Sequence, residues 1–212
     1  MSRGDLIDSL SADLKPVQPV ANINLLTAMW LILGVVYVMA SALVLGPIRP
    51  GVFEQLLGNP RFLLETLYGV GVFTLVAMVA FNSAIPAAVS PGLKRLATAA
   101  VIVWVLNFLY ALVNPALEPS MLGKRPHCYL ETLVYALPPM LFAIYRQQKL
   151  YPLKPRDSAM WAGLAAGLIP AWYMQVACMY LPKHVLLFHI LPGFAMAGVG
   201  ILMWWLLQRF KR

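Results

Sequence analysis

Apolar residues in this chain come in long runs separated by short polar punctuation, the pattern of helices that meet apolar surroundings on every side. A bilayer-crossing helix needs about 20 mostly apolar residues. Six runs approach that length: 24–46, 62–82, 96–113, 128–145, 159–181 and 185–207. The pattern predicts an all-α fold, a polytopic membrane bundle of about six transmembrane helices. The third and fourth runs are short. The fourth holds Pro138 and Pro139, and Pro170 and Pro192 predict bends in the fifth and sixth. Such prolines are tolerated in spanning helices because neighbouring helices satisfy the freed backbone groups. The link between the last two runs, 182–184, is so short that those helices must pack as antiparallel neighbours.

A different pattern precedes the first run. Leu6, Ile7, Leu10 and Leu14 fall at helical spacing with Asp5, Asp8 and Asp13 around them, which predicts a short amphipathic helix with an acidic border, ended by Pro16. The chain therefore divides into a cytoplasmic binding segment, 1–21, and a six-helix transmembrane domain, 22–212. A basic helix would suit anionic lipid; this acidic one better suits a protein with an apolar groove and a basic rim. The alternative is a polar lead-in packed on the membrane core. The start lacks the basic opening and small-residue cleavage site of a signal peptide, so the first run is expected to be retained.

Composition agrees with the pattern. Of 212 residues 61% are hydrophobic and 11% charged, against about 25% charged in a soluble domain. The net charge of +8 does not point to nucleic acid, because the bases sit in short segments between apolar runs, where they mark orientation. One side carries Arg3, Lys15, Lys94, Arg95, Arg146, Lys149, Lys154, Arg156, Arg209, Lys211 and Arg212; the other carries Arg49, Arg61, Lys124, Arg125 and Lys183. This imbalance predicts both termini in the cytoplasm (N-in/C-in).

On that topology every thiol and imidazole of the chain, His127, Cys128, Cys178, His184 and His189, falls in one outer layer. Thiolate and imidazole are the ligands of soft and borderline metals, so the cluster could accept an ion such as Zn, Cd or Cu; in an oxidising compartment the two thiols could instead form a disulfide. Glu131, four residues after His127, could share its helical face as a carboxylate ligand or supporting partner, and Met174 and Met179 offer thioethers nearby. No CxxC is present, and the spacing matches no standard zinc motif. Within the apolar runs, Asn107 and Gln175 are expected to hydrogen-bond between helices. Glu65 is expected to be a solvated carboxylate near the membrane edge.

These residues resemble the NrsF family of membrane anti-sigma factors. The opening Leu6-Ile7-Asp8-Ser9-Leu10-Ser11-Ala12-Asp13-Leu14-Lys15-Pro16-Val17 is similar to the family's LIxxLxxDLxPV start. Two further stretches carry the likeness, Arg125-Pro126-His127-Cys128-Tyr129-Leu130-Glu131-Thr132 and Met174-Gln175-Val176-Ala177-Cys178-Met179-Tyr180-Leu181-Pro182-Lys183-His184, followed by His189 and Pro192-Gly193. The segment Arg146-Gln147-Gln148-Lys149 lacks the RRGAP-like run common in the family. The resemblance implies a bacterial inner-membrane protein that sequesters an extracytoplasmic-function sigma factor and releases it on heavy-metal or oxidative stress. It implies that Cys128 and Cys178 are the family's paired cysteines. The sigma-binding role falls on Leu6, Ile7, Asp8, Leu10, Asp13, Leu14, Pro16 and Val17. The partners expected are the sigma factor and membrane lipid, with no direct contact to nucleic acid, no enzymatic activity and no obligatory cofactor.

Two other classes compete. A small metal-ion transporter needs a continuous polar route, for which the sequence offers only Asn107, Gln175 and Glu65. A membrane thiol oxidoreductase relays electrons through two cysteine pairs, whereas this chain holds two cysteines in all.

Overall fold

The computed structural model describes residues 3–12 and 22–210. Among them all regular structure is helical: α1 (Arg3–Ala12), α2 (Ile23–Leu45), α3 (Val52–Gly58), α4 (Pro60–Asn82), α5 (Pro91–Ala111), α6 (Cys128–Gln148) and α7 (Pro155–Ala177). The last run is one helical rod, 182–209, made of α8 (Pro182–His184), a π-helical turn (Val185–Ile190) and α9 (Leu191–Arg209).

Five of these, α2, α4, α5, α6 and the rod Pro182–Arg209, are long and apolar enough to cross a membrane. Helix α7 matches them in length, at 23 residues, but is rich in Ala and Gly rather than Leu and Val. Its position explains the difference. It packs against α2, α4, α6 and α9, and most of its residues are buried. A helix wrapped by other helices needs small side chains for close approach more than hydrocarbon for lipid. The peripheral helices show the converse: Ile32, Leu33, Leu43, Ile102 and Leu106 all point outward, an apolar belt suited to the hydrocarbon around a multi-pass membrane protein.

The closest packing in the molecule joins α7 to α9. A Cβ added at Gly163, Gly167 or Gly200 would fall within 2.1–2.3 Å of the carbonyl oxygen of Met196, Gly193 or Ala159 respectively. Gly163 and Gly167 form a G-x-x-x-G pair, the spacing that lets two helix backbones meet. Polar ties fix the other helices: Trp30 Nε1 donates to the Pro139 carbonyl at 3.0 Å and Trp172 Nε1 to the Thr66 carbonyl at 2.9 Å. Pro138 and Pro139 lie inside a continuous α6, and Pro170 inside α7.

Helix starts are set by caps rather than by the onset of apolar sequence. The Asn59 side chain accepts from Phe62 N and Ser90 from Leu93 N, each followed by proline at the first helical position. Hence α5 begins at Pro91, five residues before the apolar run, and carries Lys94 and Arg95 within the helix. Helix α3 was not anticipated from the pattern.

The contacts sort into two ends. At one, Arg49 N donates to Ala177 O at 2.8 Å, Asn59 Nδ2 to Ala116 O at 2.7 Å, and Cys128 meets Cys178. At the other, Ser83 bonds Ser158 and Gln147 bonds Ala80. The long helices therefore alternate in direction, and the chain enters α2 at the end away from the cysteines.

Candidate functional site: a thiol and imidazole cluster

Cys128 is the first residue of α6, and Cys178 is the residue on which α7 stops, its backbone extended at φ −94° and ψ 178°. Both are buried free thiols, with 3.0 Å between the sulfurs. His184 Nε2 lies 3.7 Å from Cys178 Sγ, and the His184 and His189 rings meet edge to face with centroids 4.9 Å apart. One ligand atom from each of Cys128, Cys178, His184 and His189 falls within 4.8 Å of the rest.

The π turn brings the second imidazole in. In an α-helix, residues five apart stand about 140° round the axis from one another. A turn built on i→i+5 bonds returns them to nearly the same side. His184 closes α8 and His189 lies inside Val185–Ile190, so the wider turn lets both rings address Cys178.

The donor set fits a metal ion. Two thiols and two imidazoles suit a soft or borderline metal in four-coordinate geometry. His189 is fully buried, yet neither Nδ1 nor Nε2 makes a well-formed hydrogen bond, the Cys178 thiol being the polar group its ring addresses. A buried imidazole left unsatisfied is costly, and an ion in the cluster would remove that cost. The sulfurs are also close enough for oxidation, since a disulfide needs about 2.05 Å.

Buried arginines brace the cluster. Cys128 Sγ donates to the Arg125 carbonyl at 3.4 Å. The Arg125 guanidinium, 3% exposed, pairs through Nη1 with Glu131 Oε2 and donates from Nη2 to the Ala42 carbonyl of α2 and from Nε to Pro47 O. A Cβ at Gly46 would lie 2.6 Å from Arg125 Nη2, so only glycine leaves room there. Arg49 lies between the Phe62 and Tyr180 rings, 5.4 and 5.7 Å from their centroids, with no hydrogen bond at Nε, Nη1 or Nη2. Burial pushes the Arg49 guanidinium below its ordinary value. Gly123, at φ 77°, presses against Arg49, where a Cβ would come within 2.8 Å of its Cα, and the loop 112–127 is held over this end by Tyr180.

The other residues singled out in the sequence stand apart from the four. His127 is the exposed residue before α6 and makes no capping bond. Glu131 is taken up by Arg125 and by the Tyr135 hydroxyl, 3.4 Å away. Met174 Sδ faces Arg125 Nη1 at 4.0 Å, and Met179 is buried. Gln175 is fully buried, but neither side-chain polar atom is hydrogen-bonded, contrary to the expected interhelical bond. Glu65 is not solvated as expected: it is 6% exposed and pairs with Arg61 at 3.2 Å, because a first-turn arginine on α4 folds back one helical turn. At the N-terminus, Leu6, Ile7, Asp8 and Leu10 lie on α1, with the first three exposed, whereas Asp13, Leu14, Pro16 and Val17 lie outside the described residues. Sequence reasoning missed Arg125 and Arg49; their signal was an arginine directly before proline where a polar loop borders an apolar run.

Comparison with curated proteins and with solved structures returns no match. A family model does match: NrsF, described as negative regulator of sigma F, aligns with residues 10–210, nearly the whole chain and all of the cluster. The chain belongs to the NrsF family, and its role is negative regulation of a sigma factor.

Proposed function

We propose that this protein is a membrane anti-sigma factor, not an enzyme, that holds an extracytoplasmic-function sigma factor at the bacterial inner membrane and releases it when the Cys128, Cys178, His184 and His189 cluster binds a soft metal or is oxidised. Six helices cross the bilayer, α7 being the sixth, with both termini in the cytoplasm. The segment 1–21 binds the sigma factor and 22–212 forms the transmembrane domain. His127 and Glu131 border the cluster rather than completing it.

The observation that carries the sensing half is the convergence of four ligand atoms within 4.8 Å around an unsatisfied buried imidazole. Support for the orientation comes from charge. Of the five basic residues at the thiol end, Arg49 and Arg125 are buried and Arg61 is paired, which leaves Lys124 and Lys183 exposed there. Support for the partner comes from α1, whose described side chains are all exposed and therefore not spent on the bundle.

Arg125 offers the route between the two. Its carbonyl receives the Cys128 thiol and its guanidinium grips the last turn of α2, the helix that leads back to the sigma-binding segment. Metal capture or disulfide formation draws Cys128 towards Cys178 and changes that grip. Moving the bound state from 99% to 1% requires a bias of about 5.5 kcal/mol, within reach of a structural metal site.

The test is recovery of the sigma factor from membranes with the intact protein and with a form deleted through Val17. Recovery with the first and loss with the second supports the reading; no recovery, or equal recovery, refutes it. Sensing is tested by Cys128→Ser with Cys178→Ser, which should abolish release by metal or oxidant, and an unchanged response sinks that half.

A further inference from the structure

A groove of about 480 Å³ lies on the outside of the bundle at the end away from the thiols, lined by Arg156 of α7 and by Gly198, Ile201, Leu202, Trp204 and Trp205 of α9. Arg156, Gly198, Leu202 and Trp205 are exposed, so its charge and its apolar wall are both reachable from outside. A Cβ added at Gly198 would meet nothing within 4 Å, which leaves a gap in the apolar belt there. From Gly198 to Trp205 the helix axis advances about 10 Å. The groove therefore starts among hydrocarbon-facing residues and ends at two tryptophans, the residue type that settles where a membrane meets water.

Its polar end carries uncompensated positive charge. Neither Arg156 nor Arg209 has an ion-pair partner among the described residues. Arg209, exposed in the last turn of α9, sits over the Trp205 ring with Cζ 3.7 Å from the centroid. Stacking engages the face of a guanidinium and leaves its N–H edge free for an anion. Among the described residues no carboxylate lines the groove; Asp157, next to Arg156 in sequence, lines a separate cavity with Ser83, Lys94 and Lys154. An anion here finds donors and no competing negative charge, whereas a cation finds no partner.

We propose that this groove binds an anionic phospholipid. The phosphate accepts from Arg156 and from the free edge of Arg209, and an acyl chain lies over Gly198 against Leu202. The apolar length below the arginines calls for a lipid rather than a free phosphate. The missing carboxylate selects a headgroup without an ammonium: ethanolamine and choline lipids carry the same phosphate but bring a cation to a site that already holds two. This site goes beyond the sigma-factor reading and rests only on the bilayer surroundings of the helices.

The experiment is native mass spectrometry of the full-length protein in detergent micelles, with dioleoyl phosphatidylglycerol, phosphatidylethanolamine or phosphatidylcholine, or glycerol 3-phosphate, added singly at equal concentration. Phosphatidylglycerol should be retained about tenfold more than either zwitterionic lipid, and glycerol 3-phosphate, which has no acyl chain, should not be retained. Arg156→Gln with Arg209→Gln should erase the preference. So should Gly198→Leu, which fills the groove from its lipid side at a position where added atoms meet no neighbour and where the melting temperature should stay as it was. Equal retention of the three lipids by the unaltered protein overturns the proposal without recourse to any variant. A preference that survives the paired arginine substitutions or Gly198→Leu also overturns it, and retention of glycerol 3-phosphate to the level of phosphatidylglycerol overturns the choice of a lipid.

Discussion

The two ends of the bundle are built on opposite principles. At the thiol end, charged and polar groups are taken inside: Arg49, Arg125, Glu65, Gln175 and His189 are all buried, and all but Arg125 keep at least one polar atom without a partner. At the far end the polar groups taken inside are small or neutral; Ser83 with Ser158 and Gln147 with the Ala80 carbonyl are satisfied locally, while Trp204 Nε1 is buried there without a partner. Its charges, Lys94, Arg95, Lys149 and Lys154 among them, sit at the rim. Unsatisfied buried groups cost stability and persist where something else is gained. One end is thus poised to respond to a ligand, and the other to remain as it is with its charges at the rim.

The sharpest way to break this contrast is to remove one staple from each end and compare unfolding of the full chain in detergent. Arg125→Met strands Glu131 and the Ala42 carbonyl and should cost about 3–5 kcal/mol. Its counterpart Gln147→Met removes one bond from the Ala80 carbonyl, which the Ser83 hydroxyl still reaches, and should cost about 1 kcal/mol or less; equal losses would erase the distinction. Gly167→Val forces α7 from α9 and should cost about 1–3 kcal/mol or more, loosening both ends together, seen as loss of the Zn²⁺-dependent rise in melting temperature along with general stability. His189→Ala should weaken zinc binding to the reduced protein at least about tenfold by calorimetry. Binding to the unaltered protein should weaken as pH falls, because protons compete for thiolate and imidazole. The smallest effect is expected of His127→Ala: zinc affinity within about twofold, since the ring is exposed and outside the four. A tenfold loss there would redraw the ligand set.

Much of this was legible in the chain. Runs 24–46, 62–82 and 128–145 match α2, α4 and α6 to within about three residues, because a lipid-facing surface must be apolar whatever its neighbours. The gathering of the cysteines and histidines at one end followed from the alternation of helices alone. What escaped notice were features whose cause is a contact. Helix α5 starts at Pro91 because Ser90 caps it, not because hydropathy rises there. Gly163 and Gly167 acquire their meaning from Gly193, Met196 and Gly200, about 30 residues away. Glu65 read as solvated because nothing in a linear run reveals that Arg61 and α5 close over it.

The sequence by itself determined that the chain is a multi-pass helical protein of the NrsF family, with thiols and imidazoles in one layer, since these depend on composition, period and motif. Only the tertiary structure decided which of those groups meet. Selecting Cys128, Cys178, His184 and His189 while leaving out His127 and Glu131 depends on the stop of α7 at Cys178, a π turn that adds one residue to a helical repeat, and a buried arginine that claims the glutamate. Each is a matter of a few ångströms, and the meeting of Cys128 with Cys178 joins segments 50 positions apart.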